Sequence, residues 1–278
     1  MRKNVIDAAV EKSQESTPMA VLEKGGKRYF YFQKLKNLGL ENLYSSIDMK
    51  AKIAGPSTNP EDHPEWAEFI SLMPQEHSEY YFMYQKHTDL AFKVDEEGMG
   101  ERLGLGRRFP EPDGLYTSRP DFLLSSSFAD CAPVLFFAPE AKVQANVHSG
   151  WRGTLANIGG KTITRMVQDY NLEAEDFYVF IGPHIGKDDF EVSQDVADLF
   201  ATAYPELPNL VRDMPGKEAK YLVDLNLCII YNLLKAGVSA ERIFSVNRST
   251  VAHPEDYHSF RRDKEKFNLM MVLSQIID

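Results

Sequence analysis

Short apolar runs bounded by turn residues predict strands at 123–129 (LLSSSFA), 133–138 (PVLFFA) and 143–149 (VQANVHS), with Pro139 and Glu140 at the turn between the last two. Residues 28–35 (RYFYFQKL) and 79–85 (EYYFMYQ) are aromatic-rich and strand-like, as are 177–182, 242–247 and 267–277. Elsewhere the period changes. Leu155, Ile158, Thr162, Ile163, Met166, Val167 and Tyr170 recur at three- and four-residue spacing and predict a helix. Val196, Leu199, Phe200, Ala203 and Tyr204 predict a second, behind a capping Ser193. A third runs from a capping Asp224 to Ala236 and stops before Gly237. Residues 55–64 (GPSTNPEDHP) are dense in turn formers and read as a loop. Residues 1–25 are polar and weakly patterned, a loose arm or a first hairpin strand. No repeat or linker divides the chain, so one domain over residues 1–278 is expected. Strands and helices mix without strict alternation. This predicts an α/β or α+β class: a sandwich of mixed sheets with flanking helices.

Composition narrows the functional classes. With 278 residues, 43% of them hydrophobic, the chain can bury a substantial core without staples. Its two cysteines, Cys131 and Cys228, are too few for a disulfide framework; a reducing compartment follows, and a cytoplasmic location is expected. No apolar run approaches a membrane span, and the N-terminus lacks the apolar stretch of a secretory signal. A net charge of −10 argues against a general nucleic-acid binder. The basic stretch 104–109 (GLGRRF) reads as a short solvated loop.

Several motifs fail on inspection. Residues 159–162 (GGKT) resemble part of a phosphate-binding loop, but Leu155 stands where that loop needs glycine, and the stretch lies within a helical pattern. Residues 61–66, with His63, form a proline-flanked turn without zinc spacing. His184, in a Gly-Pro turn, reads as structural, and Cys228 reads as core beside Leu225 and Ile229. His63, His77, His253 and His258 have no supporting context.

Three positions are left. His87, Cys131 and His148 each stand at the end of a predicted strand, where loops gather polar groups over a rigid sheet. Two imidazoles and a thiolate would make an open zinc site with its fourth position left to water. The spacing matches no compact motif, so a buried small cysteine and two surface histidines are the alternative. Asp130 could orient a histidine or serve as a general base. After His148 the chain passes Gly150, Trp151, Arg152 and Gly153 into a helix. This suits either an anion at the helix N-terminus or tight packing around Trp151. Arg261 and Arg262 suit phosphate or carboxylate, against the alternative of an ion pair with Asp263.

Taken in order, residues 85–87 (QKH), 129–134 (ADCAPV), 148–153 (HSGWRG), 181–186 (IGPHIG) and 259–263 (SFRRD) resemble the laccase-domain family. Members of that family, long called multicopper polyphenol oxidoreductases, are described as purine nucleoside phosphorylases with adenosine deaminase and methylthioadenosine phosphorylase activity. The resemblance covers residues 80–278. It implies His87, Cys131 and His148 as zinc ligands, a compact α/β sandwich related to a cysteine-dependent toxin deamidase, and purine nucleosides with phosphate as substrates. The older laccase label implies copper, whereas a single His-Cys-His set does not resemble a multicopper cluster. On this reading Asp130, Cys131 and Arg262 are the catalytic candidates, with Arg262 on phosphate. Gln85, Gly150 and Arg152 are the candidate substrate contacts. The family's N-terminal Thr-Arg and Gly-Gly signature is not evident, and residues 34–39 (KLKNLG) stand as its eroded counterpart. Two rival readings are a metal-free hydrolase with Cys131 as nucleophile and His148 as base, and a non-catalytic purine-binding protein.

Overall fold

In β10 (Ala132–Ala138), Val134, Phe136 and Ala138 enter one apolar cluster while Leu135 and Phe137 enter another. A strand covered on both faces reads as an unbroken apolar run, which is why 133–138 has no polar positions. The computed structural model describes residues 2–50 and 64–277, so the predicted loop at 55–64 lies outside the described residues except for Pro64; of the proline-flanked turn at 61–66, residues 61–63 lie outside them and residues 64–66 open a helix.

Two mixed sheets form the frame. The larger runs, in spatial order, β1 (Ala20–Lys24), β2 (Lys27–Tyr31), β3 (Leu40–Ser45), β17 (Met270–Ile276), β9 (Phe122–Phe128), β4 (Glu79–Met83), β7 (Gly106–Phe109) and β6 (Glu101–Leu103). The second runs β16 (Ile243–Ser245), β12 (Tyr178–Ile181), β10, β11 (Val143–Ser149), β8 (Gly114–Thr117) and β5 (Ala91–Lys93). A small third sheet orders β13 (Glu191–Ser193), β15 (Lys220–Val223) and β14 (Val211–Asp213). Between the two large sheets, Phe30, Tyr44, Phe128, Leu135, Phe137 and Val272 pack together. A polar seam crosses the same interface. Asn146 meets the Ser126 hydroxyl at 2.7 Å and donates to Val272 O and Ser274 Oγ at 3.4 Å, so its amide stays hydrogen-bonded in the interior.

Helices cover the outer faces. On the second sheet, α5 (Ile158–Tyr170) and α7 (Leu225–Lys235) bury Ile163, Met166, Ile230 and Leu233 against β10 and β11. The α7 boundaries follow the sequence signals: Asp224 accepts from Leu227 N at 2.9 Å, and Gly237 takes a left-handed φ of 100° just past the end. Ser193 stands at the N-cap of α6 (Gln194–Ala203), although its hydroxyl turns to Asp195 instead of a backbone amide. The helix predicted across 155–170 is divided. A five-residue α4 (Trp151–Leu155) ends before Asn157, whose left-handed backbone and side chain start α5 afresh. α3 (Pro64–Ile70) covers the other sheet with Trp66 and Phe69.

Three expectations change. Residues 1–25 hold both helix α1 (Arg2–Gln14) and the hairpin strand β1; α1 lays Val5, Ile6, Ala9 and Val10 against the α7 side of the core. Short apolar and alanine side chains carry that contact, so its sequence pattern is weak. Residues 28–35 leave the sheet after Tyr31 and turn into α2 (Gln33–Leu38), which ends on Gly39 at φ 110°. Residues 104–109 are mostly strand β7 and not a solvated loop, because neighbouring strands neutralise the charge: Arg107 meets Glu79 at 2.9 Å and Arg108 meets Glu101 at 2.5 Å.

Candidate metal centre and its cavity

The site lies where the chain twice crosses between the two large sheets. β9 ends at Phe128 in the larger sheet, and after Ala129, Asp130 and Cys131 the chain enters β10 in the second. Likewise β4 ends at Met83 and, past His87, the chain enters β5. The parallel pairing of β4 with β9 sets the crossings side by side. Gln85 fixes them: its Oε1 accepts from Ser127 N at 2.8 Å and its Nε2 donates to Ser127 O at 2.6 Å. The antiparallel register of β10 and β11 pairs Ala132 with Ser149 and Pro133 with His148, which sets Cys131 against Gly150. From separations of 44 and 17 residues in sequence, the three chemical candidates thus meet. The ligand atoms of His87, Cys131 and His148 all lie within 4.8 Å of one another.

Asp113, which the sequence reading missed, holds both histidines. Its fully buried carboxylate accepts from the backbone amides of Lys86, His87 and Thr88 at 3.2, 3.0 and 2.7 Å. The same carboxylate meets His148 Nδ1 at 2.8 Å. His87 sits at φ 61°, a left-handed backbone unusual for a side-chain-bearing residue, and these amide bonds fix it there. In sequence Asp113 belongs to Pro-Asp-Gly, which reads as a turn. Only its total burial marks it as more.

The electrostatics of the cluster couple Cys131 to His148 as a thiolate and an imidazolium. Burial alone would raise the Cys131 thiol, but the charge of His148 and hydrogen bonds from His148 and His87 outweigh it and bring it down to about 6. Burial would lower His148, yet Cys131 and Asp113 together raise it to about 10. Asp113 is held below the ordinary carboxylate range, because bonds from His148 and Thr88 outweigh its own burial. The protein therefore presents a thiolate and a histidine whose Nδ1 is tied to a carboxylate; a metal ion that took Nε2 would displace the proton His148 holds there.

The donor set fits a metal ion. Ligand atoms at zinc-ligand distances around a tetrahedral ion stand about 3.5 Å apart, and Cys131 Sγ lies 3.6 Å from His87 Nε2. Gly150 supplies the space. A Cβ there would come within 2.4 Å of the His87 ring and 3.2 Å of Cys131 Sγ. At Gly153 a Cβ would meet Thr88 O at 2.7 Å. Both glycines of the 148–153 motif thus make room for the His87 segment.

A cavity of about 580 Å³ opens over the cluster, with Tyr84, Trp151, Phe190 and Phe260 among its apolar walls and Gln85, Asp130, Arg152 and Arg261 among its polar ones. Gln85 spends most of its amide on Ser127. Arg152 is exposed and lies over the Trp151 ring at 4.2 Å. Asp130, with φ 84°, accepts from Thr250 Oγ1 at 2.5 Å and from Arg261 N at 2.6 Å, so one carboxylate oxygen holds Thr250 and the other ties down the turn that carries Phe260 and Arg261.

Arg262 is not among the cavity-lining residues. It forms a fork with Asp263 at 2.7 and 2.8 Å and donates to Thr250 O and Tyr257 O, each at 2.8 Å, which leaves the neighbouring Arg261 facing the cavity. The α8 turn (Phe260–Asp263) separates the two adjacent arginines. Nor is there a long helix behind Gly150 to carry a dipole, since α4 has five residues; the packing alternative describes that junction better. His184 is buried and donates from Nδ1 to Gly182 O at 2.8 Å, and Cys228 is fully buried in α7. His258 donates to Met49 O at 2.8 Å. Among the described residues, no helix is long and apolar enough to cross a membrane.

Residues 41–275 match the family model described as multi-copper polyphenol oxidoreductase laccase. The chain belongs to that family. Among relatives in this laccase-type family, the purine nucleoside phosphorylase YlmD of Geobacillus stearothermophilus is 38% identical over 165 residues, 59% of each chain. The YlmD of Bacillus subtilis is 29% identical over 193 residues, 69% of each chain. The aligned stretch thus covers less than two thirds of the Geobacillus protein. The crystal structure of YlmD from Geobacillus stearothermophilus superposes with a TM-score of 0.77 at 25% identity, over 94% of this chain and all of that one. A Bacillus licheniformis protein, YfiH, shares the fold with a TM-score of 0.78 at 21% identity, over 92% of this chain and 98% of that one.

Proposed function

We propose that this laccase-type protein is a zinc-dependent purine nucleoside phosphorylase acting on adenosine, inosine, guanosine and methylthioadenosine, with adenosine deaminase activity at the same site. The observation that carries this reading is the convergence of His87, Cys131 and His148 on the floor of an aromatic-walled cavity. The names of the relatives support the phosphorylase part of it. In phosphorolysis, a phosphate oxygen bonds to the ribose C1′ as the bond from C1′ to the purine nitrogen breaks. The proton of hydrogen phosphate ends on the departing purine. His87, Cys131 and His148 would hold zinc, for which their donor set fits better than for a copper cluster. When bound, such an ion supplies Lewis acidity and an acidified water, the chemistry that deamination at the purine C6 requires. Tyr84, Trp151, Phe190 and Phe260 offer faces for a purine. Asp130 acts by fixing the Arg261 turn, and Gln85 by aligning the two crossings; Arg152 and Arg261 are the cations that can face an anionic substrate.

The test is metal content followed by turnover of adenosine and inosine with and without phosphate. About one zinc per chain and free base released only with phosphate is the expected result. Nucleoside bound one to one without turnover would instead make the protein a purine binder.

The link from Asp113 through His148 to Cys131 also supports a second reading, a metal-independent hydrolase with Cys131 as nucleophile. Activity that survives complete removal of metal would select it.

A further inference from the structure

Beside the cavity over His87, Cys131 and His148 lies a second, of about 590 Å³, and the two share Trp151, Phe190 and Arg261. Its lining sets Lys217, Lys220, Lys264 and Arg261 against Glu191 as the one acidic residue. Four formal positive charges and one negative leave +3 in this hollow, on a chain whose net charge is −10. Glu191 pairs with Lys217 at 2.7 Å and Lys220 at 3.4 Å, which holds the two lysines beside β13. Lys264 makes no ion pair among the described residues and stands at φ 52°, where the chain leaves α8. Arg261 spends Nη1 on Glu191 O at 2.8 Å and Asp189 O at 3.5 Å; its Nε and Nη2 make no hydrogen bond among the described residues. Helix α6 begins at the rim, but the charge of Asp195 in its first turn offsets the positive end of the helix dipole, so the positive potential comes from side chains.

Like charges gathered in one concavity repel each other and focus a field that draws anions in. We propose that this basic annex is a subsite for a phosphoryl group that serves the cavity over His87, Cys131 and His148, with Arg261 as the wall common to both. The inference rests on the phosphorylase reading for its purpose, though not for its chemistry. Two sources share that chemistry: free orthophosphate, the co-substrate, and a phosphoryl group carried on the sugar of a nucleoside 5′-monophosphate. In the first case the annex delivers phosphate past Arg261. In the second the aromatic cavity holds the base while the annex holds the phosphate.

The experiment uses the full chain loaded with zinc, as wild type, Lys264→Gln and Lys220→Gln/Lys264→Gln. The single variant breaks no ion pair, so a folding defect is not expected to obscure its result. Binding of orthophosphate, adenosine and adenosine 5′-monophosphate is measured by calorimetry at low salt, and KM is measured for phosphate and for inosine. Loss of two charge-assisted contacts should weaken the anion by about tenfold or more. A higher phosphate Kd and KM with an inosine KM within about twofold identifies free orthophosphate as the source. A lost preference for the monophosphate over adenosine, with phosphate KM unchanged, identifies the carried group. If neither phosphate binding nor that preference moves, the annex is not an anion subsite, whatever the turnover. If wild type shows no turnover but its anion binding falls in the variants, the phosphorylase reading fails and the annex stands.

Discussion

Asp113 and His148 form a buried pair beside the candidate metal centre: a carboxylate oxygen lies 2.8 Å from the ring Nδ1, both groups out of solvent. The other end of the same carboxylate holds the His87 loop by its backbone amides. One buried side chain therefore sets the ring orientation of His148 and the backbone of His87.

Asp113→Asn should separate positioning from folding. The amide keeps one acceptor, loses the charge and leaves an amide hydrogen among backbone donors. Zinc affinity is expected to fall by about 10- to 100-fold, with a stability loss of about 1–3 kcal/mol. Competition with a chelator and a urea titration would measure the two. Unchanged zinc affinity would remove Asp113 from the metal centre.

Gly150→Ala tests whether the glycine is there for space. Its backbone, at φ −72° and ψ 168°, accepts alanine readily, so any effect comes from the added methyl against His87. The expected result is weaker zinc binding with a stability cost of about 1–3 kcal/mol. A crystal structure of the variant should show the His87 ring displaced. Full zinc affinity with His87 in place would refute the steric account.

The metal-free protein should show a pH-dependent thiol. Cys131 is lowered to about 6, so alkylation after chelation should be slow below that pH, where the thiol is protonated, and reach its plateau above it as thiolate. Burial raises the Cys228 thiol and closes it to reagent, so one equivalent should react in the folded state. A midpoint near the ordinary thiol value, about 8.5, would mean that His148 does not sustain the thiolate.

Arg262→Met removes the fork to Asp263 and the bonds to Thr250 and Tyr257. Thermal stability should fall, by about 1–3 kcal/mol for the charged hydrogen bonds lost. Phosphate KM at room temperature should change less than it does in Arg261→Met. The reverse order would return the phosphate contact to Arg262.

Local patterning was enough to find β9, β10, β11, the ends of α7 and the interior position of Cys228, because each depends on periodicity, capping residues or an unbroken apolar run near in sequence. It also singled out His87, Cys131 and His148 as chemistry at strand ends, and the ordered motifs carried the family resemblance. What joins those residues is not local. The β10–β11 register and the two crossings between sheets bring the ligand atoms together, and a pairing between distant strands leaves no mark in the spacing of single residues. The same holds for Asp113, whose turn-like setting hides a fully buried carboxylate. It holds as well for Arg261 and Arg262, where one residue of rotation in a short helical turn sends one side chain to the cavity and the other to Asp263. Sequence alone determined which chemical groups were available and roughly which segments carried them. Tertiary structure decided which of them face a common space, because that depends on strand register, burial and side-chain direction set by contacts far apart along the chain.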